Sequence, residues 1–280
     1  MAGRGRGRGR GLLASKALAP GSAGDAEAKL SGVESPVSQS KKDTRSEEAF
    51  VDLEIQLGRL SSESDVTEDE LQNVESLTNA AAASAEDMQK IARMIYTKCQ
   101  SDRDFAKAAA MLCDRLSNIE KEGVKFRNCV LGIVQADYKG RDELRKKSRK
   151  HFIGFMAFLC QVFGTMRLIN GEVMQPLVGP IFDCLEMVLE EEDIDGDECD
   201  CLSTQLQSVG RELQDNGEER MQQLIFIVRQ KIIDEKTQPR VRCVLLEVLE
   251  CYLRRWQTAP NEVTRFYLDT LMDILAGLVV

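Results

Sequence analysis

The sequence predicts an all-α chain, a solenoid of helical hairpins behind a disordered N-terminal arm. Three observations carry this expectation. The 280 residues hold only six prolines and 5% aromatics and are rich in Leu, Met, Glu and Lys, a composition that suits helices better than sheets. Apolar residues recur at i, i+3, i+4 and i+7 in one segment after another, and no long segment alternates with period two. Turn-forming residues interrupt these segments at intervals of roughly 20 residues.

Taken in order, residues up to about Arg45 are Gly-, Ala- and Ser-rich with few bulky apolar groups, so burial cannot offset the entropy of ordering them. Phe50, Leu53, Leu57 and Leu60 mark a short amphipathic stretch from Glu47, an N-terminal helix or a partner-binding peptide. Ser61–Asp65 follows as an acidic serine linker. The body then opens with Met88, Ile91, Ala92 and Ile95, and continues with Phe105 to Leu116 and Phe126 to Val134. Phe152–Met166 is strongly apolar and reads as a central buried helix; it is too short to span a membrane, which takes about 20 residues, and Gln161 interrupts it. Further stripes start near Pro176 (Ile181, Leu185, Val188), at Leu202, at Met221, at Val241 and at Val263. The expected layout is an arm over 1–46, a short helix and acidic linker over 47–83, and a helical domain over 84–280.

The breakers are Gly123, Gly140, Asn170-Gly171, Asp195-Gly196, Asn216-Gly217, Gln238-Pro239 and Ala259-Pro260. Successive pairs give units of about 40 residues, the period of two-helix repeats of the HEAT kind. The repeat expectation rests on rhythm alone, and an irregular helical bundle is its rival.

Charge is unevenly spread. The net charge is −9, yet residues 1–46 hold nine basic against four acidic side chains, leaving 28 against 42 in the rest. A basic arm on an acidic body points to nucleic acid for the arm and proteins for the body. Nine cysteines, mostly on apolar faces, and no secretory h-region point to free buried thiols and a reducing cytoplasm or nucleus. The Arg-rich start also resembles a mitochondrial transit peptide, but Arg-Gly alternation supplies no apolar helix face.

No chemistry-bearing constellation emerges. His151 is the only histidine, which removes most Ser-His-Asp and Cys-His arrangements, and it reads as a solvated surface group. Cys199 and Cys201 have no partners at zinc spacing. Asp193, Asp195 and Asp197 resemble the start of a calcium loop, but its sixth and twelfth positions fall on Glu198 and Thr204 rather than Gly and Glu. No phosphate-cradling loop is present, so neither an enzyme nor a cofactor is expected.

Two charged features remain. Arg4, Arg6, Arg8 and Arg10 alternate with glycine, and their guanidinium groups suit phosphates and unpaired bases; a solubilising tail is the alternative. Lys139, Arg141, Arg145, Lys146, Lys147, Arg149 and Lys150 cluster at one inter-helix connection, where they would meet an acidic partner or RNA phosphates, or would simply be solvated.

From Asp87 to Trp256, about 60% of the chain, the sequence resembles the middle domain of eukaryotic translation initiation factor 4 gamma. The resemblance is carried by FAKAAAMLCDRL, FRNCVLGIVQADYKGRDELRKKSRKHFIGFMAFLCQVF, VMQPLVGPIFDCLEMVL, CLSTQLQSVGRELQ and VLLEVLECYLRRWQ. It implies a stack of HEAT-like hairpins acting as a non-enzymatic adaptor in mRNA translation. The implied partners are translation initiation factors such as initiation factor 3, a DEAD-box helicase, and either the histone-mRNA stem-loop-binding protein or the cap-binding complex. Length sides with the small stand-alone members that engage the stem-loop-binding protein. Direct binding of single-stranded RNA in mRNA processing or decay is the competing function, and self-association into a homodimer stays open.

Overall fold

The computed structural model describes residues 37–60, 66–168 and 170–278, with side chains from Glu47 onward. The Arg-Gly segment and the Ser61–Asp65 linker lie outside the described residues. Twelve α-helices run in order through the described residues: α1 Val37–Arg59, α2 Glu68–Ala81, α3 Ala85–Ser101, α4 Ala106–Leu116, α5 Phe126–Lys139, α6 Arg141–Lys147, α7 Arg149–Thr165, α8 Val178–Leu189, α9 Gly196–Asn216, α10 Glu218–Ile233, α11 Pro239–Leu253 and α12 Asn261–Leu275. Strand is confined, among the described residues, to a hairpin of Glu120–Lys121 and Val124–Lys125 and a bridge between Arg167 and Val173. Glu122 and Gly123 supply the two left-handed residues of the hairpin turn.

Every breaker identified in the sequence falls at an element boundary, and the helices stack as hairpins in two rows. In one row α4 follows α2, α7 packs on α4, α9 on α7, and α11 on α9. In the other, α5 packs on α3 and α10 on α8, while α12 closes the stack against α11. Because equivalent positions recur once per hairpin, side chains bridge neighbouring repeats at a steady sequence distance. Arg115–Glu75, Tyr96–Asp137, Gln161–Gln205, Arg167–Glu212, Arg240–Asp200 and Trp256–Gln214 are hydrogen-bonded pairs separated by 40 to 45 residues. The rhythm seen in the sequence is therefore the physical repeat, and the bundle alternative falls.

Helix starts follow local chemistry. Thr67 and Glu70, and Ser84 and Asp87, form capping boxes that satisfy orphan N–H groups at the starts of α2 and α3. Ser148 caps α7, and Asp195 accepts from the N–H groups of Asp197 and Glu198 to open α9. The aspartates that resembled a calcium loop are thus a helix cap, with Asp193 accepting from Gln238 and Asp197 paired with Arg240.

Helix α7 is the centre of the protein. Every residue from Phe152 to Phe163 is buried, between α3 and α4 on one side and α8 and α9 on the other. Its one polar core side chain, Gln161, donates to Gln205 Oε1 at 2.7 Å and Ser208 Oγ at 3.1 Å. Helix α3 crosses so closely at Gly154 that a Cβ there would lie 2.3 Å from the Cys99 carbonyl oxygen. At the far end of the stack, Arg255 and Trp256 both adopt left-handed backbone. That double turn lays the indole on Gly210, where a Cβ would sit 2.7 Å from the ring, and lets Nε1 donate to Gln214 Oε1 at 2.8 Å.

The N-terminal layout differs from the expectation. Helix α1 begins at Val37, inside the stretch assigned to a disordered arm, and α2 occupies much of what was assigned to linker. Both belong to the solenoid: Leu53, Leu57, Leu60 and Val74 are buried, and the Lys98 ammonium donates to the Leu57 and Leu60 carbonyls. A chain shortened to begin at Ser84 is therefore expected to melt several degrees below the full chain, since each buried leucine side chain contributes about 1.5–3 kcal/mol. Scanning calorimetry decides this, and equal melting temperatures would return α1 and α2 to the status of an appendage.

Candidate functional site

The basic cluster sits where α5, α6 and α7 meet, and packing divides it by helix face. Helix α6 is seven residues long, and Arg141, Leu144, Arg145 and Ser148 share its inward side at i, i+3, i+4 and i+7. Arg145 is buried. Its Nε and one terminal nitrogen donate to the two carboxylate oxygens of the buried Glu198 at 2.6 and 2.7 Å. Its other terminal nitrogen reaches Glu191 at 2.7 Å and the Met187 carbonyl at 3.1 Å. The fork of hydrogen bonds it donates to Glu198, then the nearby charges, hold this guanidinium still more firmly in its charged form. Arg145 was expected to contact partners; in the structure it is an internal strut tying α6 to α9, with four of its five N–H donors engaged within the protein.

The rest of the cluster points outward to differing degrees. Arg141 lies over the Tyr138 ring at 4.6 Å and donates to the Tyr138 carbonyl, so it is half-buried. Arg149 pairs with Asp195 at 3.2 Å, and Lys146 with Glu143 at 3.4 Å, both exposed contacts of small energetic weight. Lys139, Lys147 and Lys150 are exposed and make no ion pair among the described residues. His151 is exposed in the first turn of α7, where its N–H donates to the capping Ser148.

Arg141, Lys146, Lys147 and Arg149 form one wall of an open groove of about 860 Å³, and Lys139 and Lys150 lie outside its lining. Lys146, Lys147 and Arg149 face Asp183, Glu186 and Glu190 of α8 and its end across it. The acidic wall is partly committed: Asp183 accepts from Tyr138 and Arg220, and Glu186 accepts from Arg220. The groove is thus a two-signed polar trough with lysines projecting from one rim. Sequence reasoning found the basic rim and missed the acidic one, although the run from Glu190 to Asp193 was its visible signal. Among the described residues no group of three His, Cys, Asp or Glu side chains is arranged to hold a metal ion, and no helix is long and apolar enough to cross a membrane. Arg4, Arg6, Arg8 and Arg10 lie outside the described residues.

Comparison with known proteins places this geometry. The family model described as the MIF4G domain matches residues 57–252, which takes in α2 to α11 and the whole basic rim. The CBP80/20-dependent translation initiation factor of Xenopus tropicalis is 38% identical over 194 residues, covering 69% of this chain and 33% of that protein. The chain therefore spans about a third of that relative's length. MIF4G domain-containing protein A of Danio rerio is 28% identical over 67% of this chain and 88% of its own length. The human MIF4G domain-containing protein is 28% identical over 65% of this chain and 84% of its own. Identity is thus higher to the longer factor than to the small proteins with which length sided. An α-helical hairpin stack matched from α2 to α11, with the relatives the sequence resembles, leaves one assignment: the chain belongs to the MIF4G domain family, the middle-domain fold of translation initiation factor 4 gamma.

Proposed function

We propose that the chain is a non-enzymatic adaptor in translation initiation, holding an mRNA-bound protein beside the initiation machinery. The observation that carries this reading is the lysine rim of the α6–α7 corner, exposed beside a polar groove, on a fold shared with a protein named as a translation initiation factor. A stack of hairpins offers a broad, rigid surface on which a short partner segment can order. Initiation factor 3, a DEAD-box helicase, and the cap-binding complex or histone-mRNA stem-loop-binding protein are the partners that fit. Nine unpaired thiols suit a reducing compartment, the cytoplasm first and the nucleus second. The Arg-Gly segment favours a second activity, direct contact with single-stranded RNA through Arg4, Arg6, Arg8 and Arg10.

A two-by-two experiment tests both. Charge reversal of Lys146, Lys147 and Lys150 to Glu is expected to weaken capture of a protein partner from nuclease-treated extract about tenfold, chiefly by slowing association. The same variant should leave the salt dependence of RNA binding nearly unchanged. Replacing Arg4, Arg6, Arg8 and Arg10 with Ala should instead flatten that salt dependence by up to about three logarithmic units per decade of salt, at roughly 0.7 per phosphate contact. Arg145 is left out of the reversal because its charge is internal. Unchanged capture by the lysine variant would move the partner surface elsewhere on the solenoid, and loss of RNA binding by that variant would invert the assignment.

A further inference from the structure

A second concavity, of about 210 Å³, lies between α11, the turn that follows it and the first turns of α12. It is lined by Glu247, Glu250 and Arg254 of α11 and its end, by Trp256 and Tyr267, and by Gln207 of α9 at its edge. The space is about that of one long side chain rather than of a cofactor or a peptide backbone. The charged groups that face it are unequally satisfied. Glu250 accepts from the Tyr267 hydroxyl at 2.9 Å and lies 4.0 Å from Arg254, which itself donates to the Thr258 carbonyl at 2.9 Å. Glu247 is half-buried and makes no ion pair among the described residues, and the nearby Gln207 amide donates to Ser203 Oγ at 3.0 Å. Burial raises its carboxyl pKa, and the like charges of Glu250 and Asp200 raise it further.

An uncompensated carboxylate recessed beside an indole and a phenol is the chemistry that recognises a planar cation. The carboxylate accepts two hydrogen bonds from a guanidinium fork, and the aromatic surfaces cover its face. The double left-handed turn at Arg255 and Trp256 holds the indole in this wall, and its hydrogen bond to Gln214 fixes the ring's orientation.

We propose that this cavity binds the guanidinium of an arginine side chain, with Glu247 accepting its hydrogen bonds and Trp256 and Tyr267 forming the aromatic wall. Arginine on a segment free of bulky neighbours is the form that enters a cavity of this size. The chain's own Arg4, Arg6, Arg8 and Arg10, each flanked by glycine, are one source, and an arginine-bearing segment of a partner is the other.

Trp256 is the only tryptophan in the chain, so its emission reports on this cavity alone. The full chain with Arg4, Arg6, Arg8 and Arg10 replaced by Ala is titrated with an end-blocked Gly-Arg-Gly-Arg-Gly-Arg-Gly peptide. The expected result is a saturable change in emission, with an apparent Kd at least about tenfold weaker when Glu247→Gln is added, because one partner of a recessed charge pair is lost. Glu247→Gln removes a charge that burial disfavours, so circular dichroism and melting should stay native. Glu262→Gln, on the exposed first turn of α12, controls for general attraction to the acidic body and should leave the Kd unchanged. The lysine version of the peptide should bind more weakly. No saturable change, or equal losses from Glu247→Gln and Glu262→Gln, overturns the proposal. If the peptide binds the chain with its arginines intact more weakly than the Ala variant, the chain's own arm occupies the cavity; equal affinities assign it to a partner's segment.

Discussion

Glu198→Ala is expected to destabilise the fold by about 3–5 kcal/mol, because it strands the Arg145 guanidinium inside the α6–α9 junction. Glu198 has no exposed surface and supplies both oxygens of the fork, whereas the other acid that reaches Arg145, Glu191, is half in solvent. Removing Glu198 therefore exchanges a buried, paired charge for a buried, half-paired one. In a domain of this size 1 kcal/mol corresponds to about 2–4 °C, so the melting temperature should fall by about 10 °C. Lys147→Ala, only two residues from Arg145 but exposed, should change stability by no more than about 0.5 kcal/mol. The double change Arg145→Met with Glu198→Leu should recover much of the loss, since it also removes the cost of desolvating both charges. If Glu198→Ala melts with Lys147→Ala, Arg145 is not the strut described above.

Gly154→Val should be the most damaging single-residue enlargement in the protein, at about 3 kcal/mol or more, the upper end of what overpacking costs. The new Cβ would meet backbone atoms, the Cys99 carbonyl oxygen at 2.3 Å and Gln100 Cα at 2.6 Å, which cannot swing aside as a side chain would. Helices α3 and α7 would have to separate, and α7 is packed on all sides, so the shift spreads to α4 and α9. Gly58→Ala, in α1 with open space around it, should instead stabilise by up to about 1 kcal/mol by raising helix propensity. Urea unfolding of the two variants should move the midpoint in opposite directions, and a shared direction would contradict the close α3–α7 crossing.

Much of this fold was legible because each hairpin boundary carries its own local chemistry. Asp195-Gly196, Gln238-Pro239 and the Gly123 turn need no tertiary knowledge to be read. Helix α2 was harder to see, because its buried face holds Val74, Thr78 and Ala81, residues too small or too polar to register as a stripe. The capping box Thr67–Glu70 was its clearest signal. Helix α1 from Val37 to Ser46 carries no apolar periodicity at all, so its sequence resembles the arm before it.

The candidate site was legible as charge but not as structure. Seven basic residues look alike in a list of letters. What separates Arg145 from Lys147 is a carboxylate 53 positions along the chain, brought in by the stacking of α9 on α7. The inward i, i+3, i+4, i+7 face of Arg141, Leu144, Arg145 and Ser148 was the one local hint. The cavity beside Trp256 had no sequence signal, since it exists only through the left-handed turn that brings the indole back onto α9.

The cysteines give the chain a property that belongs to its dynamics. Thiols sit on α3, α4, α5, α7, α8, α9 and α11, and all but Cys251 are buried. Burial raises their pKa values, to about 12 for Cys184, Cys199 and Cys201, so the folded chain holds almost no reactive thiolate in its interior. Each buried sulfur can then be alkylated only while its own hairpin is open, whereas the half-buried Cys251 can react in the closed fold. Since a solenoid's stability is a sum over repeats and the junctions between them, different hairpins open at different free energies. The protein thus carries an unlabelled reporter in nearly every layer, and the order in which its thiols react is a readout of the order in which the stack comes apart.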